Sequence, residues 1–413
     1  MQIRFFLITL FVRFAIVSAQ DSLTDENALD TGAFNQTVST GKKADDKNKL
    51  EYLPGVFFVS EADEYKSSAG YGSNVQFYGK AYLKATKADI GSLYAGFNFN
   101  YFLYAAADNP FFRAFYQLQK PDPSLVSASL SELHFSFDVD KLVFVRIGKQ
   151  LISWGASYFW TPEDFINMQQ AQPTVLSVVD IRKGKPGLRI HIPLHSANLF
   201  LFTDFSSIVV PGQPIGTLAE TIGQAWRLDG VIAGVNLGTV GYASKNGPTH
   251  IGFDATGNAL ATDIYGELAL NMAKKNYYTP TYAYSIGAAH PFGKEKNWTG
   301  RGEFYYNDTG YADTKLSTLP PGAFTPFYSG KYYAYGEISG TELLSTTLDV
   351  SLFALINLAD LSYSPTIQCT IDLPGVLPFT IFARYFGGRS DREFTSAFGG
   401  SAWQVGARIV VDL

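Results

Sequence analysis

The chain has 413 residues, a formal net charge of -5 and one cysteine, with 17% charged residues, 15% aromatics and 38 glycines. This is less charge and more aromatic content than an average soluble chain carries, and 46% apolar residues exclude disorder for most of the length. After the first twenty residues no apolar run reaches the roughly 18 residues that a spanning helix needs. The lone Cys369 allows neither an intramolecular disulfide framework nor a cysteine zinc cluster, and the acidic balance gives no footprint for nucleic acid.

Residues 1–19 read as an export signal: Arg4 in a short positive region, an apolar stretch from Phe5 to Val17 interrupted by Arg13, then small residues at Val17-Ser18-Ala19. Cleavage there leaves 30 basic against 37 acidic residues, a net charge of -7. The segment 20–72 is expected to be a polar periplasmic N-terminal extension or plug, because Gln20 to Lys49 carries almost no aromatics. Its short apolar run Val56-Phe57-Phe58-Val59 fits a plug, a docked strand or a periplasmic anchor.

From residue 73 to 413 the pattern changes to period-two alternation, the mark of strands with two chemically different faces. Leu93, Ala95, Phe97, Phe99, Tyr101 and Leu103 alternate with Ser92, Tyr94, Gly96, Asn98 and Asn100. The expected strands lie at 73–86, 90–105, 111–119, 128–139, 141–150, 186–194, 196–206, 227–236, 238–245, 248–254, 259–272, 281–290, 298–307, 329–339, 345–357, 361–371, 378–387 and 402–412. That makes eighteen; sixteen stay compatible, because the weak segment 248–254 is included partly for the parity it preserves. The four longest connections (151–185, 207–226, 308–328, 388–401) all follow odd-numbered strands. The expected fold is therefore all-β, a transmembrane antiparallel β-barrel with short periplasmic turns and long extracellular loops. Tyr101, Trp298, Tyr306 and Trp403 stand on the apolar face near strand ends, as an interfacial girdle requires.

The most distinctive stretch runs Arg146-Ile147-Gly148-Lys149-Gln150-Leu151-Ile152-Ser153-Trp154-Gly155 and continues through Trp160-Thr161-Pro162-Glu163-Asp164-Phe165-Ile166-Asn167. It resembles the G-[RK]-Q-x-[IL]-x-W-G…P-x-D-x-x-N pattern of a family of Gram-negative outer-membrane barrels of mostly unassigned substrate, distantly similar to alginate-export and phosphate-selective porins. The match covers about 22 residues, and the resemblance implies a channel without naming its solute. Likewise, the alternation Trp403, Val405, Ala407, Ile409, Val411 and Leu413 resembles the C-terminal assembly signal of such barrels, with Leu413 where an aromatic usually stands.

Thr161-Pro162-Glu163-Asp164 is a good helix start, with a hydroxyl cap, proline in the first helical position and carboxylates on the positive end of the dipole; it predicts a short helix over 162–170. Trp154, Phe159, Trp160, Phe165 and Ile166 would form an exposed apolar patch unless this connection folds inward and narrows the lumen. Lining that constriction, the expected residues are Arg146, Trp154, Asp164, Arg182, Lys183, Lys185 and Arg189, where cations would focus anions. Charges on the alternating polar face place Lys80, Lys84, Arg227, Asp229, Glu267, Arg301, Glu303, Lys331, Glu337, Asp349, Arg384 and Arg408 on the lumen wall, since cations facing lipid at mid-depth cost roughly 2–4 kcal/mol. By the same parity Cys369 faces lipid as an apolar filler.

The five histidines form no metal-ligand spacing and no hydrolase or phosphate-cradling motif is present, so no enzyme, metal or cofactor is expected. The expected function is passive entry of small hydrophilic, in part anionic, solutes across the bacterial outer membrane. Outer-membrane lipids and the barrel-assembly machinery, met through the C-terminal strand, are the expected partners. A hydrophobic-substrate channel of the fatty-acid type and a surface adhesin or structural barrel are the alternatives.

Overall fold

The computed structural model describes residues 49–413 except 69, 103–125, 167–181, 207–221, 245–248, 273–279, 294–296, 313–327, 344–346, 373–376 and 397. The expected signal segment and the polar stretch up to residue 48 lie outside the described residues. Eighteen strands follow one another: β1 (Leu50–Ser67), β2 (Gly70–Lys87), β3 (Gly91–Phe102), β4 (Val126–Val139), β5 (Val143–Gln150), β6 (Lys185–Leu194), β7 (Ala197–Asp204), β8 (Gly223–Ile232) and β9 (Val235–Ser244). Then come β10 (Thr249–Ala259), β11 (Thr262–Met272), β12 (Thr281–Phe292), β13 (Trp298–Asn307), β14 (Tyr332–Glu342), β15 (Leu348–Asn357), β16 (Ser362–Ile371), β17 (Phe379–Phe386) and β18 (Ala402–Asp412). Each pairs antiparallel with its neighbours in sequence, and β1 pairs with β18, so the sheet closes without an edge. A single helical turn, α1 (Glu393–Ser396), sits between β17 and β18.

Alternation sorts the side chains. Phe97, Ile286, Leu352 and Val405 are about half exposed on the outside, whereas Glu267 and Glu303 on the opposite face are almost fully buried. An outer face of this composition is satisfied by hydrocarbon and not by water. Rings gather at both its margins: Tyr282, Tyr306 and Tyr332 with Tyr385 and Trp403 at the long-loop end, Phe292 and Trp298 at the short-turn end. Cys369 shares the outer parity with Ile367 and Ile371.

The strand count agrees with expectation, but its composition differs. The wall begins at β1, inside the segment expected to be an extension or plug. Glu61 and Asp63 made that stretch look soluble; in the barrel both face inward, Glu61 beside Arg408 at 3.3 Å and Asp63 accepting from Gln404 Nε2 at 3.1 Å. The expected strand 111–119 lies outside the described residues, and β3 pairs directly with β4, so no strand separates them in the wall. Consequently 88–90 is a turn at the short end, opposite to its expected side. The five longest connections (103–125, 151–184, 205–222, 308–331 and 387–401) all follow odd-numbered strands, and both termini of the barrel lie at the short end, where Val56 and Leu413 exchange two backbone hydrogen bonds of 2.9 Å.

Turns at 233–234 and 260–261 replace those expected at 237 and 255–258. They are built with φ of 51° at Ala233 and of 53° and 60° at Leu260 and Ala261, residues that seldom adopt the left-handed region.

At the long-loop end α1 ties three connections together. Glu393 accepts from Ser329 N (2.8 Å), Tyr333 OH (2.6 Å) and Asn357 Nδ2 (2.8 Å), while its own N–H donates to Asp360, which also accepts from Tyr311 OH (both 2.8 Å).

Candidate functional site

The connection leaving β5 turns into the barrel over its described part, 151–166. Gly148 and Gly155 make this path feasible: their φ values are 125° and 134°, and a Cβ on Gly155 would lie 2.8 Å from a carboxylate oxygen of Glu267. Two wall carboxylates then receive the loop backbone. Glu267 of β11 accepts from the N–H groups of Ala156 and Ser157 (2.5 Å each) and of Glu163 (3.3 Å). Glu303 of β13 accepts from those of Tyr158 (3.1 Å), Phe159 (3.0 Å) and Trp160 (2.8 Å) and from Tyr265 OH (3.1 Å). Glu132 of β4 takes Leu151 N–H at 3.1 Å. Buried carboxyl oxygens met by converging N–H donors are satisfied, and each such bond contributes roughly 1.5–3 kcal/mol where the acceptor is charged.

No helix forms over 162–166, where two turns are closed by Asp164 N–H to Thr161 O (3.0 Å) and Phe165 N–H to Glu163 O (2.7 Å); residues 167–170 of the expected helix lie outside the described residues. The barrel's main apolar core lies between this loop and the wall. Trp160 stacks on Tyr305 (5.3 Å, 12°), Phe159 on Tyr335 (4.8 Å) and Phe165 on His250 (4.8 Å), while the Arg301 guanidinium covers Tyr158 at 3.4 Å. Trp154 belongs to the same core and is 6% exposed, so it packs the loop instead of lining a passage as expected.

The expected charges separate into two groups. On the side where the loop docks, they are paired within the wall. Arg227 contacts Asp254 (2.9 Å), Asp229 (3.3 Å) and Glu163 (3.7 Å), and Arg301 contacts Glu337 (2.7 Å). Arg384 donates from Nε to Thr366 (3.0 Å). Two residues expected on the wall act at its ends: Lys331 precedes β14, near Asp308 (3.5 Å) and over the Tyr306 ring, and Asp349 accepts the Glu342 N–H (2.8 Å) to hold the turn before β15.

The other group is a basic wall formed by β2, β4, β5 and β6. Arg146 and Arg189 stand directly opposite one another across β5 and β6. Arg146 donates to Ser136 (3.1 Å), and Arg189 lies over Phe200 (5.1 Å). Together with Lys80 and Lys84 they act electrostatically on the inward-facing His134. Like charges on facing cross-strand positions cost roughly 0.2–1 kcal/mol, a cost that structure alone does not require. Lys80 is countered by Glu132 (2.5 Å). At the end of the loop Arg182 pairs with Asp164 (3.0 Å) and Lys185 with Asp204 (3.6 Å), while Lys183 stands half-buried between them.

Sequence reasoning overlooked Glu132, Asp254 and His134 as inward-facing groups, and set His191 on the alternation of Arg189 without giving it a role. The signal was present in the parity of Glu132 and His134, and of Arg189 and His191. His134 stacks on Tyr94 (5.2 Å) and His191 on Phe200 (4.3 Å).

No protein-family model matches the chain, and no curated protein does. Among solved structures it is similar to the outer membrane protein OpdK of Pseudomonas aeruginosa, with a TM-score of 0.58 and 8% identity over 88% of this chain and 98% of that one. OccK2 (OpdF) of the same organism, solved in complex with glucuronate, gives 0.57 and 8% over the same shares. OccAB1 of Acinetobacter baumannii gives 0.53 and 11% over 88% and 97%. At such identities the likeness establishes the eighteen-stranded barrel fold.

Proposed function

We propose that this barrel is an outer-membrane channel for passive diffusion of small hydrophilic solutes, with preference for anions that carry a carboxylate. The observation that carries this reading is the facing Arg146–Arg189 pair on a basic wall, opposite a wall whose carboxylates are engaged by the docked loop and by arginines. The basic wall offers a positive track, and the field of fixed cations is strong where the passage is narrow. The solved structures of similar fold that hold glucuronate and vanillate add support, since both ligands carry a carboxylate.

In this reading the long loops face outward, both barrel termini lie in the periplasm, residues 1–19 are removed on export, and β18 is the strand read by the assembly machinery. The resemblance of the 146–167 motif to outer-membrane barrels of unassigned substrate agrees with it. Charged side chains on the wall oppose a channel for hydrophobic substrates. The test is reversal potential in planar bilayers under a salt gradient. The native barrel should select anions, and Arg146→Glu with Arg189→Glu should move selectivity toward cations. A folded barrel without conductance overturns the proposal.

A further inference from the structure

Glu163 stands apart from the other carboxylates that hold the loop. It is fully buried, and neither carboxylate oxygen meets an N–H or O–H donor. Its surroundings are strongly acidic. Asp254 of β10 and Glu267 of β11 act on it, and Arg227 of β8 approaches no closer than 3.7 Å. That guanidinium is turned toward other carboxylates: Nη2 donates to Asp254 Oδ1 at 3.0 Å, Nη1 makes an ion contact with Asp254 Oδ2 at 2.9 Å without hydrogen-bond geometry, and Nε faces Asp229 at 3.3 Å. Glu267 spends its oxygens on loop N–H groups. His250 lies beyond Phe165, and Asp164 is paired with Arg182. A Cβ on Gly252 would lie 2.7 Å from Glu163 Oε1, so the carboxyl is pressed against the β10 backbone.

A carboxylate in this position would be a buried acceptor facing acceptors. A single proton turns one of its oxygens into a donor and removes the uncompensated charge. We propose that Glu163 and Asp254 share one proton, and that the resulting carboxyl–carboxylate hydrogen bond latches the 161–166 turn against the barrel wall. The latch deepens the channel reading, because the turn it fastens is part of what narrows the lumen. Burial first, with Glu267 and Asp254 adding to it, holds the Glu163 carboxyl well above its ordinary 4.5 against the opposing pull of Arg227. The docked state thus binds a proton that the released state gives up. Docking is strongest below the ordinary value and weakens up to tenfold per pH unit until the raised value is passed.

Two measurements on the full barrel test this. Infrared difference spectra at neutral pH should contain the carbonyl stretch of a protonated carboxylic acid that is missing in Glu163→Gln. The glutamine keeps a donor toward Asp254 but cannot titrate, so its conductance should stay constant as pH rises into the alkaline range, while that of the native barrel increases. Absence of the infrared difference, or a native-like pH dependence in Glu163→Gln, overturns the latch. Should Glu163→Gln fail to fold, Asp254→Asn takes its place: its amide supplies the donor, and the same band should vanish. If no variant conducts, the channel reading falls and the infrared band alone decides the latch.

Discussion

Replacing Glu303 by glutamine should release the docked loop and leave the barrel closed. Glu303 gathers four donors: the N–H groups of Tyr158, Phe159 and Trp160 at 3.1, 3.0 and 2.8 Å, and Tyr265 OH at 3.1 Å. The amide retains one carbonyl oxygen and turns its NH2 toward donors that need an acceptor. At least two charge-assisted bonds are lost, roughly 3–6 kcal/mol at 1.5–3 each. At 1.36 kcal/mol per decade, this shifts the docking equilibrium by about two to four orders of magnitude. The loss falls on docking, because the ladders joining β12, β13 and β14 are backbone bonds that the substitution leaves intact. Chymotrypsin provides the assay: Tyr158, Phe159 and Trp160 are protected while the loop is docked and become cleavable when it is released, and single-channel conductance should rise in parallel. A folded Glu303→Gln barrel with unchanged protection at 158–160 and unchanged conductance would refute this account of what positions the loop.

Trp160→Ala removes a side chain that is 1% exposed and stacked on Tyr305, and should cost roughly 3–5 kcal/mol, read as a lower temperature for the shift between folded and unfolded mobility in detergent electrophoresis; an unshifted transition means the core between loop and wall adds little. Glu393 is pushed up to about 7 by burial, against the hydrogen bonds from Tyr333, Ser329 and Asn357. Protease resistance of the long-loop end should therefore fall as pH rises from its ordinary 4.5 to about 7 and then level off, with Glu393→Gln removing that slope. A slope that survives the substitution belongs to another group. Tags inserted in 308–328 or 388–401 should be reached by surface reagents on intact cells, and tags near 195 or 291–297 should not; the reverse pattern inverts the topology.

Strands with clean alternation were legible residue by residue. Phe97 and Tyr101 in β3, Leu352 in β15 and Val405 in β18 face outward as their parity predicts. β1 was hidden because Glu61, Asp63 and Glu64 resemble a solvated segment unless their partners on β18 are known. The tight turn at Leu260-Ala261 carries none of the residues that turn chemistry favours, and the one at 233–234 carries only Gly234, after an alanine at positive φ. In the site, the inward course of the loop could be read from its aromatic content. The missing helix could not. Its cap signals describe an isolated segment, while the Glu163 amide within it is claimed by Glu267, 104 positions away in sequence. The pairing of lysines and arginines is hidden as well, since Arg182 and Lys185 find Asp164 and Asp204 only after the loop and register are fixed.

The seam between β1 and β18 has a kinetic consequence. Sixteen strands lie between the two in sequence, and the Asp63–Gln404 contact across the seam joins residues 341 apart, against a connection of two residues between β1 and β2. On a loop-closure scale the seam demands roughly 4–5 kcal/mol more ordering entropy than that hairpin, and contacts of such range form late. Until they form, two strands present open edges able to capture another chain. Val56 and Leu413, which bond to each other at the short end, belong to this late seam. A chain that loses β18 would keep seventeen strands of wall but would remain an open sheet, prone to aggregate before it could become a pore.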